Sequence, residues 1–382
     1  MRPASDRKHF DGIDVLRGLS IIAVVVHHSN IRMLIEHVPV KGLLSAPLRS
    51  LFFWNGQNGV TIFFAISGFL ITTTALRRWP SLNTLKIKSF YRLRFARIAP
   101  LLLALLFILS VLHLLGFSDY VIPPEKASLP RSLLAALTFH INWLESVRGY
   151  LPGSWDVLWS LSVEEIFYLF FPLFCRLIKI RALLIVSFLV LVGIGPFART
   201  VLTHNSYWAD NGYLSCMDAI ALGCLTALLA RSVKLSNVFI WTARLAGAAL
   251  MLLIVAAKPL TAAFGIYKTG LDVTFLAAGT CLVMLAIAQR NTAGGKFTAP
   301  LRWYGRHSYE IYLTHMFLVF AATRVFISMG LSLRWVLPVY VITLLLAGLA
   351  GAFVARYFSE PLNRKLREKF PANPTAEIVP QK

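Results

Sequence analysis

Acidic residues and cysteines are scarce in this chain of 382 residues. Asp and Glu number 17 against 38 Lys and Arg, and all charged residues together make up 14% of the sequence. The hydrophobic content is 57% and the mean hydropathy is +0.67. So little charge with so much apolar surface excludes an ordinary soluble domain and predicts a polytopic membrane protein.

The few cysteines exclude a further class of site. They form no CxxC pair and no Cys/His spacing typical of a metal site, so we expect no metal. Their apolar surroundings predict buried thiols instead. The four are Cys175, Cys216, Cys224 and Cys281.

The apolar runs predict an all-α fold of about ten transmembrane helices. They cover about 12–30, 58–76, 98–116, 161–178, 182–199, 213–230, 238–257, 269–288, 307–327 and 335–355. A shorter run at 133–144 is expected to form one re-entrant or interfacial helix. We expect residues 1–11 to be a cytoplasmic leader without a cleavable signal, 12–362 to be one membrane domain, and 363–382 to be a basic cytoplasmic tail, disordered at its end.

The formal charge of +21 lies mainly in short segments between the apolar runs. Assigning alternate segments to one face collects 25 of the 38 Lys and Arg there. The positive-inside rule then predicts that both termini are cytoplasmic. No basic face with interleaved aromatic residues forms a separate domain, so membrane lipid is an expected partner and nucleic acid is not.

The first predicted span carries ionisable residues, which hydrocarbon disfavours. At about 100° per residue, Arg17 and His28 differ by about 20° around the helix axis, and Asp14 lies on roughly the same face. A rise of about 1.5 Å per residue separates Arg17 from His28 by roughly 16 Å. Two interpretations remain open: an Asp14–Arg17 pair at the membrane interface with His28 marking the opposite end, or a polar lining inside the bundle.

Two motifs place further charges at predicted span ends. Arg94 and Arg97 lie three residues apart on a helical face, where paired guanidiniums suit phosphate groups or, alternatively, serve as a topology signal. Glu164 and Glu165 open another span. Helix capping explains part of this pair, with Ser160 and Glu164 resembling a shifted capping box, and one of the carboxylates is a candidate to orient His28.

Late in the chain, three polar residues fall on neighbouring turns of one predicted span. They are Ser308, Tyr312 and His315. His315 is either a satisfied core histidine or part of a site. The Glu360-Pro361 pair is expected to end the last helix.

Taken in order, these motifs resemble the acyltransferase 3 family, which comprises bacterial inner-membrane O-acyltransferases of surface polysaccharides and related glycoconjugates. The resemblance covers about residues 10–362. It rests on the runs at 14–19, 63–71, 94–100, 159–168, 308–315 and 360–361, and on the ten residues between Arg17 and His28. Two positions depart from the family pattern: Thr61 stands where an acid is usual, and Ile166 where Gln commonly follows the paired glutamates.

The resemblance implies transfer of an acyl group, with acetyl as the first choice, from cytoplasmic acyl-CoA to a carbohydrate hydroxyl of an exported or cell-surface polysaccharide or glycolipid. Arg94 and Arg97 would hold the CoA phosphates. Arg17 would steady the pantetheine arm or the thioester carbonyl. His28 would act as a general base or as a transient acyl carrier.

A transporter of a glycolipid or polysaccharide intermediate is the alternative, with His28 and the glutamates as a proton relay. An enzyme leaves an ester on the product, whereas a transporter changes only the product's location. Arg94 and Arg97 favour the enzyme, because they have no evident role in a simple exporter. A succinyl or other acyl donor also remains open.

Overall fold

The structure is a computed structural model that describes residues 10–203, 205–290 and 294–368. Within these ranges the chain is helical and contains no β-strand. The α-helices are α1 (Asp11–Ile35), α2 (Ala46–Phe53), α3 (Gly56–Arg78), α4 (Ile87–Leu114), α5 (Leu129–Leu137), α6 (Ile141–Arg148), α7 (Gly153–Asp156), α8 (Leu158–Leu177), α9 (Arg181–Thr200), α10 (Ser206–Asn211), α11 (Tyr213–Ser232), α12 (Asn237–Ala256), α13 (Lys258–Ala263), α14 (Leu271–Gln289), α15 (Ala299–Arg306), α16 (Ser308–Ser328), α17 (Val336–Val354) and α18 (Glu360–Glu368).

Ten helical segments of the described chain are long and apolar enough to cross a membrane. They confirm the predicted all-α fold and the number of spans, because a helix satisfies its own backbone hydrogen bonds where no water is present. Some boundaries differ from the prediction. The helix α4 begins at Ile87, so the second half of the basic segment before the third span is helical and Pro100 lies inside the helix.

The helices α3 and α11 cross at the centre of the bundle. A Cβ atom on Gly68 would lie 1.9 Å from the carbonyl oxygen of Ile220, and one on Gly223 would lie 2.0 Å from that of Ala65. Glycine at both positions therefore lets the two backbones touch. In the most apolar 18-residue windows of the spans that contain these helices, 72% and 67% of the residues are buried. The share is 22% for α9 and for α12 at the periphery.

The sequence did not predict α15, which packs closely against the start of α1. A Cβ atom on Gly18 would lie 2.0 Å from the carbonyl oxygen of Leu301, and one on Gly305 would lie 1.9 Å from that of Asp14. This contact fixes the end of α1 that carries Asp14 and Arg17.

The prediction of one helix over 133–144 is wrong. The run is divided between α5 and α6, and Phe139 lies between them in a left-handed conformation with φ of 58°. The α6 segment is anchored by Asn142, whose side-chain amide donates to the carbonyl oxygens of Trp159 (3.1 Å) and Asn211 (2.6 Å). The hydrogen bonds of the buried Asn142 amide stabilise the separate α6 more than a continuous helix over 133–144 would be stabilised by its own extra turn.

The prediction that Glu360-Pro361 ends the last helix is also wrong. A short π-helical turn at Ala355–Ser359 follows α17, and the chain continues as α18. Pro361 lies in the first turn of α18, where its missing N–H group costs little. The predicted tail therefore begins as a helix, while residues 1–9 of the predicted leader and 369–382 of the predicted tail lie outside the described residues.

The cysteine prediction is confirmed. All four thiols are free and buried.

Candidate active site

A cavity of about 720 Å³ opens between α1, α3, α4, α8 and α16. Phe10 at the start of α1 and Arg367 on α18 both line it, and we call this end of the cavity its mouth. Seven of the ten residues predicted for the site line its wall. They are Asp14, Arg17, Arg94, Arg97, Glu164, Ser308 and Tyr312.

Arg17 is held inside this cavity by two helices. Its guanidinium donates to Ser308 Oγ at 2.9 Å across to α16, and it lies 3.7 Å from the Asp14 carboxylate one turn earlier on α1. The Arg17 side chain is 20% exposed. A partly compensated cation therefore faces the cavity, which favours the interpretation of a polar lining inside the bundle over that of a pair at the interface.

Arg94 is the centre of a second polar group. Its guanidinium stacks over the Tyr168 ring at 3.6 Å from the ring centroid and lies 3.7 Å from Glu165 Oε1. The Tyr168 hydroxyl donates to Glu164 Oε2 at 3.2 Å and also contacts Ser67 Oγ. The two glutamates are therefore placed around Arg94 and Tyr168.

This arrangement leaves two polar atoms without a hydrogen bond. Arg94 Nε and Glu165 Oε1 are buried and have no hydrogen-bond partner among the described residues. Buried polar groups are normally satisfied, so each exception calls for an explanation such as a functional role or a bound water or ion. Arg97, one turn further along α4, lies over the Tyr309 ring at 5.4 Å from its centroid.

His28 pairs with His315 rather than with a carboxylate. His28 Nδ1 lies 3.0 Å from the Val24 carbonyl oxygen and 3.1 Å from His315 Nε2. His315 Nδ1 lies 2.7 Å from the Tyr312 carbonyl oxygen. The structure thus places the predicted carboxylate partners of His28, Glu164 and Glu165, beside Arg94.

The backbone carbonyls assign both tautomers, because a carbonyl oxygen only accepts a hydrogen bond. His315 Nδ1 carries the proton and donates to Tyr312, so His315 Nε2 is an acceptor. His28 Nδ1 likewise carries the proton and is shared between Val24 and His315. The lone pair of His28 Nε2 remains available to take a proton from a substrate.

Tyr312 connects the cavity to the histidine pair. Its ring centroid lies 5.8 Å from that of His315, and its hydroxyl donates to the Val157 carbonyl oxygen at 2.9 Å. Ser160 Oγ therefore donates to the Tyr312 hydroxyl, at 2.7 Å. The capping role predicted for Ser160 is wrong, because Ser160 lies inside α8 and bonds to α16.

An ionic brace holds the two histidine-bearing helices together. Asp119, in the loop after α4, accepts from Arg32 of α1 at 2.5 Å and from Arg324 of α16 at 2.5 Å. The Asp119 side chain is 4% exposed. Because Arg32 lies one turn beyond His28, the brace restricts relative movement of α1 and α16 near the pair.

A family model described as an acyltransferase domain matches residues 10–357. The chain belongs to the acyltransferase 3 family. With ten apolar spans among the residues that the structure describes, it is a multi-pass membrane protein of that family. No solved structure matches it.

Curated relatives resemble this member of the family over most of its length. The peptidoglycan O-acetyltransferase OatA of Listeria monocytogenes is 26% identical over 346 residues, covering 84% of this chain and 51% of the relative. The O-acetyltransferase OatA of Staphylococcus aureus is 24% identical over 387 residues, covering 94% and 58%. The chain thus spans little more than half the length of these relatives.

Five of the six runs that carry the acyltransferase 3 resemblance contribute residues to one cavity, together with residues that the sequence did not single out. Tyr168 and Ser67 lie within the runs that carry the family resemblance. A polar side chain within such a run is the signal by which the sequence could have identified them as site residues. Asn363 and Arg367 come from the part of α18 that lies within the predicted tail, 363–382. Thr61, which replaces an acid, donates to the Gln57 carbonyl oxygen of its own helix at 3.2 Å.

Proposed function

We propose that this protein is a membrane O-acetyltransferase that takes its acyl group from acyl-CoA on the cytoplasmic side and passes it to a carbohydrate hydroxyl on the other side. The observation that carries the proposal is a cavity lined by Arg94 and Arg97 whose wall includes Tyr312, the residue next to the His315–His28 pair. The names of both relatives support acetyl as the acyl group. The name of the Listeria monocytogenes relative, a peptidoglycan O-acetyltransferase, supports a cell-wall polysaccharide as the class of acceptor.

The donor would enter at the mouth, beside Phe10 and Arg367. The Lys and Arg distribution supports a cytoplasmic position for this face, and acyl-CoA is made in the cytoplasm. Arg97 and the open Nε of Arg94 would bind phosphate oxygens. The uncharged pantetheine arm would follow the wall past Arg17 toward Tyr312. The length of the extended arm is comparable with the roughly 16 Å that separates Arg17 from His28 on α1.

The acceptor would approach His28 from the opposite side of the pair. There His27 lies edge-on to His28 with ring centroids 5.7 Å apart. The ring of Trp54, a residue that is 43% exposed, lies 5.7 Å from the His27 ring. An exposed indole beside a reactive group gives a sugar ring an apolar surface to pack on.

The chemistry is a direct transfer with His28 as general base. His28 Nε2 takes the proton of the sugar hydroxyl as the oxygen attacks the thioester carbonyl. The carbon–oxygen bond forms, the carbon–sulfur bond breaks, and the proton passes from the imidazolium to the CoA sulfur. As His28 becomes cationic, its Nδ1–H bonds to Val24 and His315 become charge-assisted and stabilise that state. No metal is required in this scheme.

The experiment is a measurement of base-labile esters on the surface polysaccharides of the host bacterium. A deletion strain is compared with strains restored by the wild type, by His28→Ala, or by His140→Ala. His140 is the matched control, because it bonds to Thr138 at 2.6 Å in the loop between α5 and α6, away from the cavity.

We expect one acyl mass to disappear in the deletion strain and to return with the wild type and His140→Ala but not with His28→Ala. Equal protein levels in the membrane would show that His28→Ala folds. Unchanged esters with polysaccharide accumulating inside the deletion strain would contradict the proposal and indicate a transporter. Full rescue by His28→Ala would remove His28 from the mechanism.

A further inference from the structure

A second cavity lies beside the first at the same mouth. Its volume is about 460 Å³, and α18 forms most of its wall, so we name it the α18 cavity. Three residues line both cavities: Arg97, Asn363 and Arg367. The other residues of the α18 cavity are Glu360, Arg364 and Glu368.

The charges of the α18 cavity suit a phosphorylated ligand of defined shape. Its three guanidiniums outnumber its two carboxylates, so the surplus charge is positive. Each guanidinium offers a planar fork of donors that matches phosphate oxygens. The carboxylates limit where an anion fits, because an anionic group beside Glu360 or Glu368 is repelled.

Asn363 adds a hydrogen-bond acceptor that has no partner among the described residues. Its Oδ1 atom is buried and makes no hydrogen bond to any described residue. It also belongs to the wall between the two cavities. An asparagine amide recognises adenine well, since its oxygen accepts from the N6 amino group while its nitrogen donates to N7.

We propose that the α18 cavity binds the 3′-phosphorylated adenine nucleotide end of the acyl-CoA donor. Arg364 and Arg367 hold the 3′-phosphate, and Asn363 holds the adenine edge. Arg97, at the junction, meets the pyrophosphate. This assignment rests on the proposed function, because it takes CoA as the carrier of the acyl group.

The division of the donor between the two cavities follows from its charge. The nucleotide end carries all of the phosphates and stays near water at the mouth, where desolvating it costs least. The pantetheine arm is uncharged and enters the first cavity. Its wall combines Arg17 with apolar side chains such as Phe63, Phe64 and Leu161.

The test is titration calorimetry of the full-length protein in detergent with two ligands, CoA and dephospho-CoA, which lacks only the 3′-phosphate. The variants are Arg364→Ala and Arg367→Ala. The control is Lys365→Ala, because Lys365 is an exposed cation on the same helix and lines neither cavity.

We expect each arginine variant to weaken CoA binding at least about tenfold, the loss typical of one charge-assisted contact. The affinity for dephospho-CoA should change less than about twofold, because the group that these arginines hold is missing from it. Lys365→Ala should bind both ligands like the wild type. Asn363→Leu should weaken both ligands equally, since both contain adenine.

Equal weakening of CoA and dephospho-CoA by the arginine variants would overturn the assignment, and so would no effect on either. Affinities that follow the phosphatidylglycerol content of added lipid would instead assign the arginines to lipid headgroups. Transfer to a sugar is assayed separately. Wild type that binds CoA in this pattern but acylates no sugar would contradict the proposed function and leave the nucleotide site in place.

Discussion

Arg94 shows how one residue serves both the fold and the cavity. The sequence predicted it as a phosphate ligand, and the structure adds the Tyr168 stack and the Glu165 contact at 3.7 Å. The pair is partly solvated, since the Arg94 side chain is 26% exposed and that of Glu165 is 11% exposed. Losing one partner should therefore cost about 2 kcal/mol, below the 3–5 kcal/mol of a fully buried pair.

We predict that Arg94→Met and Glu165→Leu each lower the thermal midpoint in detergent. The double variant should lose less than the sum of the two, because no unpaired charge remains. It should still fail to acylate, since the cavity has lost a cation. Thermal unfolding measured beside turnover checks this. Strictly additive losses would show that the two side chains do not interact.

His315 is the second residue with a positioning role, since it accepts the His28 Nδ1–H bond. We predict that His315→Leu lowers kcat about 10²-fold through misorientation of His28, with the KM for acetyl-CoA little changed. His315→Gln should retain more activity, because its amide oxygen can accept the same bond. Steady-state kinetics of both variants checks this. Equal kcat values for His315→Gln and His315→Leu would show that the hydrogen bond does not contribute to catalysis.

At the scale of helices, the α3–α11 crossing is as close as the contact between α1 and α15. We predict that Gly68→Ala strongly destabilises the protein, by at least about 1–3 kcal/mol, because the new Cβ meets a backbone oxygen at 1.9 Å. Gly193→Ala in α9 is the control, since no atom lies within 4 Å of its added Cβ. That change should be neutral or stabilising by up to about 1 kcal/mol. Similar thermal midpoints for the two variants would contradict the close crossing.

The spans were predictable because hydropathy is a local property of the chain. The helices α15 and α18 were not, since each depends on packing against a distant segment, as α15 does against α1 through Gly18. The same distinction applies to the site. The face shared by Arg17 and His28 follows from helix geometry, whereas the His28–His315 pair spans 287 positions and appears only after folding.

At the scale of the whole molecule, the proposed transfer depends on which face is cytoplasmic. The four native thiols are buried, so single introduced cysteines can report exposure without background. We predict that a membrane-impermeant maleimide labels Arg148→Cys in cells with an intact inner membrane. It should label Lys365→Cys only after permeabilisation. The reverse pattern would place the basic cavity mouth outside and contradict the positive-inside assignment.

The most direct test of the central claim separates donor and acceptor by a membrane. Purified protein is reconstituted into vesicles and the population with α18 inside is selected, with acetyl-CoA trapped inside and a cell-wall oligosaccharide outside. We predict acetyl ester on the external sugar and free CoA thiol inside, both abolished by His28→Ala. Ester formation only when donor and acceptor share one side would contradict a path from the basic mouth to His28.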